Sequence, residues 1–224
     1  MKSVPKSYRP TFVYTASGIG GKQFYFSTKS HGIVTGRDFG INDGVNRYHP
    51  ELRELVEKAP PIQVVEIGPG LGEFVPTVAQ SKMPMPIAID VINYEDLLKE
   101  MTQYLPQIED DKTAYEELTE LIRRCKIMLD PSKVKLINFC LEDAIVRHPE
   151  LIDSADILVD LLGAFAYPKN WANFGSHKNS KERFVQAQNR VLGMEIAILK
   201  ESGRHCLYSQ WYDKKELRRF YNEF

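Results

Sequence analysis

From residue 50 onward, the chain alternates short apolar runs with longer segments whose apolar residues recur every three or four positions. Short apolar runs bounded by glycine, proline or polar residues are typical of buried strands. Five runs predict such strands: 63–67, 86–90, 134–139, 155–160 and 205–210. The helical segments between them predict βαβ units. We therefore expect an α/β fold with a mostly parallel sheet and helices on both faces.

Two helical segments separate the second and third predicted strands, so residues 93–131 form a helical insertion. The surface of residues 95–128 is a candidate contact for a protein partner or a second copy of the chain. A long helix is predicted from 179 to Gly203, where the glycine is expected to end it, and a last helix from residue 213.

The first 49 residues have a different character, rich in Gly, Ser, Tyr and Phe. The β-prone runs 12–16 and 23–27 flank a glycine turn and predict a hairpin. Residues 31–48 contain four glycines without a clear period and predict a lid-like loop. The expected domains are thus a hairpin and lid segment at 1–49 and an α/β domain at 50–224.

Composition narrows the class of protein. The 224 residues include 30 acidic and 29 basic ones, for a net charge of −1, and 43% are hydrophobic. A disordered chain is excluded, and no apolar run approaches the roughly 20 residues of a membrane span. A near-neutral charge does not favour nucleic acid as a partner, although a local basic patch could bind it. Three unpaired cysteines predict reduced thiols and a cytoplasmic protein, and no Cys or His spacing predicts a metal site.

The glycine-rich turn in VVEIGPGLGE, residues 64–73, carries the sharpest chemical signal. It follows a buried strand and opens a helix, where a sheet of this kind binds its ligands. A dinucleotide fingerprint would need glycine at position 73, but Glu73 stands there, and its carboxylate would repel a pyrophosphate. Glu66, inside the strand, suits a cationic group. A nicotinamide-dependent oxidoreductase is therefore only an alternative.

EIGPGLG resembles motif I of the class I S-adenosylmethionine (SAM)-dependent methyltransferases, and its residue sequence is closest to that of the ribosomal RNA adenine dimethylases. The resemblance covers roughly residues 50–210 and implies a Rossmann-like fold. It also implies that SAM is bound and S-adenosylhomocysteine is released. These relatives usually end their sheet with an antiparallel strand pair after the fifth strand, where this sequence predicts only one more helix. Three alternatives follow: a shortened sheet, a pair replaced by the N-terminal hairpin, or a sequence that is a fragment of a longer chain.

The resemblance also implies where SAM lies. It places five residues of the turn region around the methionine part: Glu66, Gly68, Pro69, Gly70 and Gly72. Asp90, at the end of the second strand, would bind the ribose hydroxyls, and Val91 would contact the cofactor beside it. Asp143, with Glu142, would lie near the adenine.

The segment after the fourth strand, VDLLGAFAYP, would lie beside the transferred methyl group. Asp160 is the candidate catalytic residue there and a candidate cofactor contact, and Tyr167 is a second candidate that shapes the pocket. Adenine-modifying relatives carry an NPPY-like or NLPY-like tetrapeptide at this place, whereas this chain has DLLG. The acceptor is therefore not specified: a small molecule, a protein or an RNA. A catalytically inactive interaction module is the other alternative.

Overall fold

The computed structural model describes residues 11–17, 21–28, 32–35, 50–161, 163–166, 180–207 and 210–223. Within these residues the main feature is a six-stranded sheet. Its strands, in chain order, are β4 Val64–Ile67, β5 Ile87–Ile89, β6 Lys135–Ile137, β7 Ala155–Asp160, β8 Leu199–Leu207 and β9 Gln210–Asp213.

The spatial order of the strands is β6-β5-β4-β7-β8-β9. The first five pair in parallel, and only β9 is antiparallel to its neighbour. Because the chain moves outward from β4 to β6 and then returns to place β7 on the other side of β4, the order reverses between β4 and β7. Ligands of such sheets bind in the crevice at this switch point.

Helices cover both faces of the sheet. They are α1 Pro50–Lys58, α2 Phe74–Ala79, α3 Tyr94–Tyr104, α4 Lys112–Met128, α5 Leu141–Arg147, α6 Ser180–Ile198 and α7 Lys214–Glu223. Short 3-10 turns follow α3 at Leu105–Ile108 and α5 at Pro149–Leu151. The predicted α/β, mostly parallel, Rossmann-like fold is confirmed.

Alternate residues of each strand face different helices, as a period of two requires. In β4, Val64 packs with α1 and α2, whereas Val65 and Ile67 pack with α5, α6 and α7. In β5, Ala88 faces the core formed by α2, α3 and α4. One face of α4 lies in that core through Leu118, Leu121, Ile122, Cys125 and Met128, so this face of the insertion is buried.

The prediction that Gly203 ends the long helix is wrong. The helix α6 ends at Ile198, and β8 begins at Leu199. Gly203 lies inside β8, where the pairing with β7 shifts register. A Cβ atom there would lie 2.8 Å from the Ala155 carbonyl oxygen, so the glycine permits a close approach of two backbones.

The expected end of the sheet also needs correction. The fifth strand was expected at 205–210, but β8 starts earlier, and Gln210 begins β9. The described residues therefore include one antiparallel strand after the fifth parallel strand, where the expectation was none. Tyr212 lies opposite His205 in this pairing.

The N-terminal segment contains a separate three-stranded antiparallel sheet: β1 Thr11–Ser17, β2 Gly21–Thr28 and β3 Gly32–Thr35. The hairpin prediction is confirmed by the pairing of β1 with β2. The lid-like loop was expected to include residues 32–35, which form β3 instead, and the rest of it lies outside the described residues. The division at residue 49 stays a prediction.

Two further expectations concern the cysteines and the membrane. All three cysteines are free; Cys125 and Cys206 lie in the core, whereas Cys140 is only partly buried. Burial raises the pKa of the Cys125 thiol to about 12. In the part of the chain that the structure describes, no helix combines the length and hydropathy needed to cross a bilayer.

Candidate functional site

The glycine turn between β4 and α2 depends on two residues with left-handed backbone. Gly68 has φ +63° and Gly70 has φ +56°, conformations that glycine adopts at little cost. The Gly68 N–H donates to the Ile89 carbonyl at 2.8 Å, which joins the turn to the end of β5. The Gly72 N–H donates to the Pro69 carbonyl at 2.9 Å, and α2 starts two residues later.

The loop after β7 packs directly on this turn at the switch point. A Cβ atom on Gly68 would lie 2.5 Å from Gly163 Cα, and one on Gly163 would lie 2.3 Å from the Ile67 carbonyl oxygen. The two glycines therefore let two loop backbones touch. No local pattern in the sequence identifies Gly163 as a site residue, because it contacts Gly68, which is 95 positions away in the chain.

Asp90 ties the turn to the end of β5. Its Oδ2 accepts the Gly70 N–H at 3.0 Å, and its Oδ1 accepts the Ile92 N–H at 3.0 Å. The Tyr94 hydroxyl lies 2.9 Å from Asp90 Oδ2 and 2.7 Å from the Gly70 carbonyl oxygen. Burial raises the pKa of Asp90, and these donors, with the Val91 N–H, oppose the rise. Protein donors thus surround a carboxyl group that is 4% exposed.

Arg124 ties the helical insertion to the same turn. Its side chain is 2% exposed, and its Nη1 donates to the Leu71 carbonyl at 3.3 Å. Its Nη2 lies 4.0 Å from the Glu73 carboxylate, and its Nε donates to Glu120 at 3.0 Å. Glu73 is therefore not a free charge at the start of α2. The basic run at 123–126 thus includes a buried arginine.

Glu66 is the next-to-last residue of β4 and lies two positions before Gly68, where the glycine turn begins. It is 4% exposed, and its Oε2 has no hydrogen-bond partner. Burial raises the pKa of Glu66 to about 8; the Val75 N–H opposes the rise, and Asp90 and Asp160 add to it. A buried polar atom without a partner is costly and is typical of sites that receive a ligand or a proton.

Asp160 ends β7 and is fully buried. Its Oδ1 accepts the Gly163 N–H at 2.6 Å and its Oδ2 accepts the Phe165 N–H at 2.9 Å. The side chain thus shapes the loop that packs on Gly68. Burial and the neighbouring Glu195 raise the pKa of Asp160 well above its ordinary value.

Two further expected residues, Glu142 and Asp143, follow β6, the edge strand of the parallel sheet. Glu142 and Asp143 are in the first turn of α5, directly after β6, and Asp143 accepts a hydrogen bond from the Cys140 thiol at 3.0 Å. Asn138, which the sequence analysis missed, donates to the carbonyls of Asp90 and Ile92 at 3.0 and 2.6 Å. Tyr167 lies outside the described residues, so its role stays a prediction.

The structure thus gathers three predicted carboxyl groups, Glu66, Asp90 and Asp160, at the carboxyl ends of three adjacent strands. No group of three or more His, Cys, Asp or Glu among the described residues is arranged to hold a metal ion. When ionised, these carboxyl groups favour a cation and repel phosphate.

Comparisons with known proteins give fold-level likeness alone. No family model matches the chain, and no curated protein matches it. The chain is similar to the crystal structure of spermidine synthase from Thermotoga maritima, with 13% identity and a TM-score of 0.35 over 87% of this chain and 55% of that one. It is also similar to spermidine synthase in complex with the transition state analogue AdoDATO, with 13% identity and a TM-score of 0.39 over 87% and 56%. The chain spans about half the length of these proteins.

Replacing Arg124 with methionine should lower the free energy of unfolding by about 3–5 kcal/mol, because it leaves Glu73 buried without its arginine. The matched control is Arg123→Met on the next residue. Arg123 also pairs with Glu120 but is 45% exposed, so its loss should cost about 1 kcal/mol or less. Urea unfolding of both variants measures the difference, and equal losses would contradict the role given to Arg124.

Replacing Gly163 with alanine should cost about 1–3 kcal/mol of stability or more, because its Cβ would meet the backbone of Ile67 at 2.3 Å. Gly193→Ala is the control, since its Cβ would meet only the Tyr221 ring, at 3.1 Å, and that ring is 45% exposed and can move. The control should be neutral or stabilising, as alanine favours a helix interior. Thermal unfolding distinguishes them; a tolerated Gly163→Ala would refute the close approach.

Proposed function

We propose that this chain binds SAM at the glycine turn and transfers a methyl group from it to an acceptor. One observation carries the proposal: Glu66 presents a buried oxygen without a partner at the end of β4, beside Asp90 and Asp160. A positively charged ligand group would satisfy that oxygen and lower the free energy of the ionised carboxylates.

The residues present fit a sulfonium nucleoside better than a phosphate. Glu73 faces Arg124, but Glu66, Asp90 and Asp160 leave an acidic site at the start of α2. In the proposed complex, Glu66 and the turn Gly68–Gly72 hold the methionine part, and Asp90 and Asp143 bind the ribose and adenine. Pro69, Val91 and Glu142 complete the proposed contacts.

Most of the proposed catalysis comes from position and exclusion of water. Bound SAM would supply a methyl group already activated on a sulfonium sulfur. Glu66 stabilises positive charge, and the turn is held in one conformation by Asp90, Tyr94 and Arg124. Asp160 acts as a positioning residue in this proposal, since both its oxygens accept N–H groups of its own loop.

A catalytically inactive interaction module is the second candidate. The observation that favours it is that protein donors already surround the Asp90 carboxylate, the proposed ribose ligand. A module of this kind would keep the fold and the buried Asp90 network without turning over a cofactor. Its partner would contact the exposed side of residues 95–128, which stays a prediction.

Calorimetric titration with three probes tests the proposal. SAM carries a sulfonium and an amino group, S-adenosylhomocysteine keeps only the amino group, and 5′-methylthioadenosine has neither. We expect affinity to fall in that order because the acidic site selects positive charge. Glu66→Gln should weaken SAM binding by about 10- to 150-fold, equal to about 1.5–3 kcal/mol, and should reduce the difference between SAM and 5′-methylthioadenosine.

Glu142→Gln serves as a control, because Glu142 is a partly exposed carboxyl group on the first turn of α5 and should change SAM affinity less than Glu66→Gln. Gly70→Val should abolish binding, since Gly70 needs positive φ. If no probe binds to the folded protein, the SAM proposal is wrong. Binding without turnover on metabolite, peptide or RNA acceptors favours the second candidate.

The affinity for SAM should depend on pH through Glu66. Because burial raises the pKa of Glu66 to about 8, the group must lose a proton before it binds a cation. Affinity should therefore rise by up to about tenfold per pH unit between about pH 6 and about pH 7.5. Titration with 5′-methylthioadenosine, or of Glu66→Gln with SAM, should give a nearly flat profile. A wild-type profile as flat as that of the variant would contradict the role of Glu66.

A further inference from the structure

Behind the loop that follows β7 lies a second cluster of titratable side chains. Asp160 ends β7, Glu195 is in the last turn of α6, and His205 is in β8; each of the three is 0% exposed. Leu158 lies opposite His205, and Asp160 opposite Leu207, so Asp160 and His205 share the sheet face that α6 covers. His205 Nε2 lies 3.4 Å from Glu195 Oε2.

Glu195 and His205 lack hydrogen-bond partners in the described structure. Neither oxygen of Glu195 and neither ring nitrogen of His205 has one. Two ionised carboxylates have no donor to share, so the Asp160–Glu195 contact stabilises the fold only when the pair holds a proton. Leaving such a buried group without a partner destabilises the fold.

Geometry decides which carboxyl carries that proton. Asp160 accepts two backbone N–H groups, at 2.6 and 2.9 Å, which favour its ionised form. Glu195 accepts none. With the proton on Glu195, its O–H donates to Asp160, while His205 Nε2 lies 3.4 Å from Glu195 Oε2. One proton therefore removes the repulsion between the two buried carboxyl groups.

We propose that Glu195 is a positioning residue, which in its protonated form donates to Asp160 and, with neutral His205 behind it, fixes the loop 160–166 against the glycine turn. The link runs from Glu195 to Asp160, from Asp160 to the N–H of Gly163, and from Gly163 to Gly68. Loss of the proton would place two carboxylates together in the core and loosen that loop. The inference rests on the proposed function only for the consequence that a looser loop weakens cofactor binding.

Burial raises the pKa of Glu195 to about 7, and burial together with Glu195 raises the pKa of Asp160 well above its ordinary value. The two carboxyls therefore titrate as a pair that holds a proton near neutral pH, and the two N–H groups donated to Asp160 favour Glu195 as the place of that proton. Burial lowers the pKa of His205 to about 4, which keeps its ring neutral near pH 7.

Other charged groups packed around α6 have different contacts. From β4, Glu66 adds negative charge near Asp160. Arg218 of α7 binds Glu201, Lys214 binds Asp153, and Arg147 of α5 lies over the Phe139 ring. Arg190 of α6 is exposed and lines an outward groove with Met194 and Tyr221. Asp160 and His205 are therefore the groups that control Glu195.

The experiment compares wild type with Glu195→Gln, Glu195→Leu and Glu182→Gln. The glutamine keeps an N–H donor toward Asp160 but cannot ionise, the leucine has no donor, and Glu182 is an exposed carboxylate on the same helix. Infrared spectroscopy of the free protein at pH 7 should show a protonated carboxylic acid band that is absent from Glu195→Gln, is retained in Glu182→Gln and is lost at a pH above the ordinary range of a carboxyl group.

Hydrogen exchange of the peptide that contains Gly163 and Phe165 measures the loop itself. Opening returns both carboxyls toward their ordinary pKa values, so the closed loop keeps a proton that the open loop loses. The ratio of wild-type to Glu195→Gln exchange should therefore rise by about tenfold or more between about pH 5 and about pH 7. Both proteins contain His205, so the ratio isolates Glu195. Glu195→Leu should exchange faster at every pH.

A ratio that does not change with pH, or a missing infrared band, would overturn the inference. If Glu195→Leu does not fold, the pH dependence of the wild-type to Glu195→Gln ratio still decides. Titration with S-adenosylhomocysteine separates this inference from the proposed function: no binding by any variant would refute the function, whereas the exchange and infrared results on the free protein stand by themselves.

Discussion

The need to satisfy buried acidic side chains at the ends of parallel strands organises this structure. Glu66, Asp90 and Asp160 each end or follow a strand, and each is almost completely buried. Asp90 is satisfied by an N–H group of the glycine turn, and Asp160 is satisfied by two N–H groups of the loop after β7. Their carboxyls therefore define the two loops at the switch point, and Glu66 is left as the group whose oxygen has no partner.

The periodic part of the fold could be predicted from the sequence. Apolar runs and helical stripes depend on local spacing, so the α/β class, the strands β4 to β7 and the helices of the insertion follow from residues within a few positions of one another. The end of α6 could not be predicted in this way. Gly203 has the composition signal of a helix stop, but its contact with Ala155, on the neighbouring strand, makes it part of a β-bulge.

The residues of the candidate site also fall into two groups: those that a local sequence pattern identifies and those that only a contact distant in sequence identifies. Glu66, Gly68, Gly70 and Asp90 could be named because they form a compact motif or end a predicted strand. Tyr94, Arg124, Gly163 and Glu195 could not, because each acts on a residue far along the chain or on another element. An arginine in a run of basic residues gives no local sign that it is buried, and a glycine in an apolar loop gives none that it meets a second glycine.

Arg124 has a consequence for how this fold can be altered. The helices of residues 93–131 have the sequence character of a removable insertion, yet one of them contributes the guanidinium that holds Leu71 and Glu73. A shortened chain that joins β5 directly to β6 would keep every strand of the sheet and still lose the support of the turn. The insertion is therefore an integral part of the scaffold that holds the glycine turn, and grafting the turn onto another protein would require transferring α4 with it.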